Sequence, residues 1–161
     1  MAKAGYWVGT SAAVALAAAT AKTALMVICP AQFGIDLKKF RVEFDGVTTS
    51  AVPALVELVT STNASNSPPG TNNTTEVGNI VQLYGRSIVT GFTAFSASTA
   101  GNEPTALTVI ERFLLTPAGG TLLYDFPLGD TPDTAVSAGM GLRITAPAIV
   151  NARASMTFER I

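Results

Sequence analysis

The chain has no histidine and a single cysteine. Nucleophilic catalysis of the Ser-His or Cys-His type needs an imidazole base, so that class of enzyme is excluded. A zinc site loses its usual nitrogen ligands for the same reason. Cys29 has no second thiol to pair with, and its place in the apolar run LMVIC at 25–29 reads as a small buried hydrophobe. Charge is also scarce, at 13 % of residues against roughly a quarter in average soluble domains. The ten basic and eleven acidic residues are scattered to a net charge of −1, with no basic cluster to neutralise phosphates, which argues against nucleic acid as a partner.

The carboxylates Glu111, Asp125, Asp130 and Asp133 could in principle work in pairs, but acids spread over strand exteriors and turns are normally solvated. Gly139-Met140-Gly141 does not extend to a dinucleotide fingerprint and precedes a strand pattern, not a helix. The expectation is a protein that is not an enzyme, with no cofactor, no metal and no small-molecule substrate. What remains in quantity is apolar residue, 48 % of the chain and much of it alanine. A surface with so little charge is expected to be covered in part by copies of itself or by a partner, because interface cores are depleted in charge.

The segment 11–28, SAAVALAAATAKTALMVI, imitates a membrane span or the apolar core of a signal peptide. It is mostly alanine and is interrupted by Thr20, Lys22 and Thr23, whereas a span needs about twenty strongly apolar residues. No membrane association is expected, and the segment reads as two short strands near 13–18 and 23–29. The C-terminal stretch gives the clearest period-two pattern. Val150, Ala152, Ala154, Met156 and Phe158 share one parity, and Asn151, Arg153, Ser155, Thr157 and Glu159 the other. Leu142, Ile144 and Ala146 alternate in the same way before Pro147 breaks the run; two strands paired with each other are the simplest reading.

Residues 36–45 alternate too, with Phe40, Val42 and Phe44 expected inward and Lys39, Arg41, Glu43 and Asp45 outward, before the turn at Asp45-Gly46. Further strands are expected at 54–60, 81–84, 87–93, 107–115 and 122–126. Two of these, 54–60 and 107–115, carry apolar groups on both faces. Leu55 and Val59 oppose Val56 and Leu58, while Val109 and Phe113 oppose Ile110 and Leu114. Such strands lie centrally in a sandwich or in a subunit interface.

The polar stretch 61–79 is too long for a simple turn and reads as an exposed loop, presenting Asn63, Asn66, Pro68, Pro69, Asn72 and Asn73. Asn63, Asn72 and Asn73 each begin an N-x-Ser/Thr sequence, which polar composition alone makes frequent. Residues 1–10 read as an N-terminal arm ahead of a single β domain over 11–161. In the arm Tyr6 and Trp7 either start an edge strand or dock on a neighbour. The fold class is all-β, a jelly roll or β-sandwich or barrel of about eight to ten short antiparallel strands.

The segments TAKT (20–23), FDG (44–46), PALVEL (53–58), FPLG (126–129), GLRITAP (141–147) and NARASMTFE (151–159) together resemble small head proteins of tailed bacteriophages. They are most similar to the trimeric jelly-roll decoration, or cement, proteins of the outer capsid face. The resemblance runs from about residue 10 to the C-terminus and rests on the order and spacing of strand and turn segments. It implies a structural virion protein, made in the host bacterial cytoplasm, whose partners are itself, as a homotrimer, and the major capsid protein. Tyr6, Trp7, Leu55, Val59, Ile110 and Leu114 are the expected capsid or subunit contacts. A trimeric jelly-roll fibre head, or a module that binds a receptor or glycan, is the alternative.

Overall fold

The computed structural model describes residues 3–62, 74–88, 91–99, 103–104 and 106–161. Among them thirteen strands follow in chain order: β1 Gly5–Gly9, β2 Val14–Leu16, β3 Ala21–Ile28, β4 Ile35–Phe44, β5 Ala54–Thr62, β6 Thr74–Thr75, β7 Val81–Tyr84, β8 Thr93–Ser96, β9 Leu107–Leu115, β10 Thr121–Asp125, β11 Asp133–Thr134, β12 Ala138–Thr145 and β13 Val150–Arg160. The first sheet runs β10-β4-β13-β1-β7, with β11 beside β4 and β2 beside β13; the second runs β6-β8-β3-β12-β5-β9. Every strand pairing is antiparallel, and the two sheets form a β-sandwich. The strands in excess of eight to ten are the short ones, β2, β6 and β11, of two or three residues each.

The alternation in the sequence becomes the two inner faces. Phe40, Val42 and Phe44 of β4 and Ala152, Ala154, Met156 and Phe158 of β13 meet Leu25 and Val27 of β3, Val56 and Leu58 of β5, and Met140, Leu142 and Ile144 of β12 in one buried cluster. Burying a side chain of this size contributes roughly 1.5–3 kcal/mol, so these two inner faces hold the sheets together. Aromatic rings fill both flanks of the core. Tyr6, Phe92 and Phe158 lie within 5.0–5.6 Å of one another, and Tyr124 packs 5.3 Å from Phe113 and 4.8 Å from Phe126.

Four sequence expectations are corrected here. The two C-terminal strands are not a ribbon: β12 lies in the second sheet and β13 in the first, so the connection containing Pro147 crosses the sandwich. Both strands still turn their apolar parity to one core, which is why their patterns look alike. Second, of the strand expected over 87–93, only Thr93 among the described residues lies in a strand, β8, which runs to Ser96, and residues 89–90 lie outside the described residues. A turn precedes it, with Gly85 at φ 72° and the Ile88 N–H donating to the Gly85 carbonyl at 2.9 Å.

Third, the faces of β9 do not follow strict alternation. The register with β5 steps from Leu58↔Glu111 to Val59↔Val109, leaving Ile110 as the extra residue of a bulge. The parity therefore flips, so that Phe113 packs on the main core while Leu107 and Val109 join the opposite face. Fourth, residues 5–9 are not an arm. β1 is hydrogen-bonded between β13 and β7, with Tyr6 opposite Phe158 and fully buried.

Candidate functional site

The second sheet is apolar on its outer face as well. One cross-strand row reads Phe95, Met26, Gly141, Val59 and Val109 across β8, β3, β12, β5 and β9. Met26, Ile28, Val59 and Phe95 form a second buried cluster. Gly141 is required in that row: a Cβ there would lie 2.6 Å from the Leu25 carbonyl oxygen and 2.9 Å from the Met26 methyl group. Beside the cluster, Glu103 accepts from the Thr23 N–H at 2.8 Å and the Thr23 hydroxyl at 2.6 Å. Glu57 pairs with Arg112 at 3.0 Å.

These contacts decide the fate of the expected interface residues. Val59 is fully buried within the chain, as is Tyr6, so neither is offered to a partner. The apolar second face that suggested an interface is satisfied at Val59 by the outer cluster of the same sheet. Leu55 is half-buried opposite Leu114. Ile110 and Leu114 are exposed on the edge strand β9, and Trp7 is exposed on the outer face of the first sheet. The surviving candidates thus lie on two separate surfaces. Asn63, Asn66, Pro68, Pro69, Asn72 and Asn73 fall outside the described residues.

Trp7 stands in a patch that sequence reasoning missed. Val81 and Leu83 of β7 and Leu123 of β10 are about half exposed on the same face. Between them lies an opening of about 440 Å³ lined by Trp7, Leu83, Leu123, Lys39 and Arg41, with Ser155 and Thr157 among its other lining residues. It continues past Trp7 into a smaller one of about 210 Å³ that reaches Glu43 and Arg153. Arg41 is ion-paired with Glu43, whereas Lys39 and Arg153 are exposed and in no ion pair among the described residues. The signal was present in TLLYD, where Leu122 and Leu123 must face opposite ways.

Two further surfaces are notable. Loops at one end of the sandwich frame an opening of about 410 Å³ at which Val47 and Ile149 are almost fully exposed. At the free edge, Ile110, Glu111, Tyr124, Phe126 and Asp130 line an opening of about 340 Å³ with two carboxylates and no cation. Leu128, in the adjoining turn, is 100 % exposed.

Two carboxylates, Glu76 and Glu159, act as structural clasps. Glu76 is fully buried and accepts from the Ser11 N–H at 3.0 Å, the Ser11 hydroxyl at 3.1 Å, the Asn79 amide at 2.6 Å and the Ser96 hydroxyl at 2.5 Å. It thereby ties the β1–β2 connection to β8. On the first sheet Glu159 accepts from the Tyr84 hydroxyl and pairs with Lys38 at 3.1 Å. The Tyr84 hydrogen bond, ahead of Lys38, lowers the Glu159 pKa, while burial, then Glu159, pushes Tyr84 up to about 12. Cys29 is buried, and burial pushes its thiol up to about 12, the profile of an inert core residue. Among the described residues no three His, Cys, Asp or Glu side chains gather as a metal site, and no helix is long and apolar enough to cross a membrane. No protein-family model matches the chain, and no curated protein is significantly similar to it.

Proposed function

We propose that this protein is a structural component of a phage virion that assembles as a homotrimer, binds the outer surface of the capsid and stabilises the shell. The observation that carries this reading is the grouping of Trp7, Val81, Leu83 and Leu123, exposed apolar side chains held on regular strands beside shallow openings. Rigid aromatic and aliphatic anchors on a flat face suit contact with another protein surface. A contact of ordinary size buries about 800 Å² on each partner, and repetition over many copies multiplies that gain across a shell. The work is mechanical: bridging neighbouring capsid subunits raises the cost of pulling them apart. The test is to add the purified protein to shells that lack it and to heat both. Decorated shells are expected to open at a higher temperature, and an unchanged opening temperature with no co-sedimentation contradicts the reading.

A trimeric fibre head, or a receptor- or glycan-binding module, is the second reading. It is favoured by the opening between loops at one end, where Thr48, Thr49, Ser50 and Asn151 sit with exposed Val47 and Ile149. Copy number separates the two, since a fibre head is present in few copies per particle.

A further inference from the structure

We infer that copies of this chain dock head to tail, the turn at Leu128 and the acidic edge beside it on one copy entering the basic, apolar groove around Trp7 on the next. The inference rests on the self-assembly in the proposed function and names the surfaces that would carry it.

The turn is built to present its leucine. The Asp130 N–H donates to the Pro127 carbonyl at 3.0 Å, closing a β-turn over Leu128 and Gly129. Gly129 has φ 91°, as the third position of a type II turn requires. Proline before and glycine after thus hold a fully exposed Leu128 in a defined place, which lowers the entropy lost when it is captured. Beside it lie the carboxylates Asp130 and Glu111, neither in an ion pair among the described residues. The exposed Ile110 and Leu114 continue the edge. The bulge at Ile110 spoils that edge as a template for adding another strand, which leaves side-chain docking as the mode of contact.

The groove offers the complement. It has about 440 Å³ of space between Trp7, Leu83 and Leu123, ample for one leucine, with Lys39 on its wall and Arg153 on the adjoining lobe. The distribution of charge also selects the arrangement. Groove against groove brings the patch holding Lys39 and Arg153 onto its own like, and edge against edge does the same with the patch holding Glu111 and Asp130. Both two-fold contacts place like charges together, which costs affinity. Only the contact between unlike patches pairs the charges, and such a heterologous contact closes into a ring when its rotation allows.

The test is analytical ultracentrifugation of the full chain, with circular dichroism to verify that each variant is folded. Lys39→Glu with Arg153→Glu reverses the groove, and Glu111→Lys with Asp130→Lys reverses the edge. All four positions are exposed. Each double variant should weaken self-association by about tenfold or more, and the quadruple variant should recover it to within a few-fold. Leu128→Ser, which alters no charge and no buried contact, should weaken it as well. Because Trp7 is the only tryptophan, its emission should shift to the blue on assembly in the wild type and fail to do so in Leu128→Ser. An oligomer that survives both double variants, or a quadruple variant no better than either, overturns this docking and leaves self-assembly standing. A wild-type chain that stays monomeric at every concentration overturns the homotrimer itself.

Discussion

Trp7 occupies the space that a side chain at Gly9 would need, since a Cβ there would lie 2.7 Å from the indole Cζ2 and Cη2 atoms. The glycine is bare so that the ring can lie against the sheet two residues along its own strand. Gly9→Ala is therefore expected to lift the indole toward water at a cost of about 0.5 kcal/mol, the scale of surface substitutions, because the displaced atoms are the outer end of an exposed ring. Red-shifted tryptophan emission with a modest fall in denaturation midpoint is the expected result, and unchanged emission contradicts it.

Trp7→Ala probes the same ring as an anchor. The isolated fold should lose little, because Trp7 faces outward while its neighbour Tyr6 fills the core. Attachment to a sister chain or to the shell should weaken by about 2 kcal/mol or more if Trp7 is a central contact. Thermal unfolding measured beside particle binding separates the two, and equal losses in both would make Trp7 a folding residue only.

Glu76 is the residue whose loss should hurt the isolated fold most among the polar groups. Glu76→Ala would leave the nearly buried Ser96 hydroxyl without its acceptor, with an expected cost of about 2–3 kcal/mol. Glu76→Gln should recover part of this, because an amide oxygen still accepts. A urea titration of the three proteins checks the order, and an Ala variant as stable as the wild type contradicts it.

The pair Tyr84 and Glu159 sets two limits in pH. Glu159 is held below its ordinary value of 4.5, so its contribution to stability is complete above that value and is lost as pH falls through the lower, folded-state one. Tyr84 is raised from 10.0 to about 12; its contribution is complete below pH 10.0 and is lost as pH rises toward 12. Tyr84→Phe should abolish this alkaline loss and shrink the acid loss of Glu159, which begins at the same pH but is complete at a higher one, as followed by thermal melts across the range. An unchanged acid limb would show that the two groups do not interact in solution.

Much of the sandwich was legible because β4 and β13 alternate strictly between core and solvent, and period two leaves no other way to bury Phe40, Val42, Met156 and Phe158. Pairing was less legible than patterning. The strands β12 and β13 carry the same signature whether they face each other across a ribbon or across a core, and nothing local to Pro147 distinguishes the two. The bulge at Ile110 reversed half of β9, because a one-residue insertion in register leaves no compositional mark. At the candidate surface, Trp7 was legible as a large aromatic near a terminus. Its companions Leu83 and Leu123 were not, because they reach it only when β10, β4, β13, β1 and β7 are laid side by side in that order.

Difference imaging of phage particles with and without this protein tests the central claim most directly. If the protein decorates the capsid, the difference density lies on the outer face of the shell, in three-fold clusters repeated over the lattice in tens to hundreds of copies. Density confined to a tail or a single vertex, or none on the shell, would contradict it.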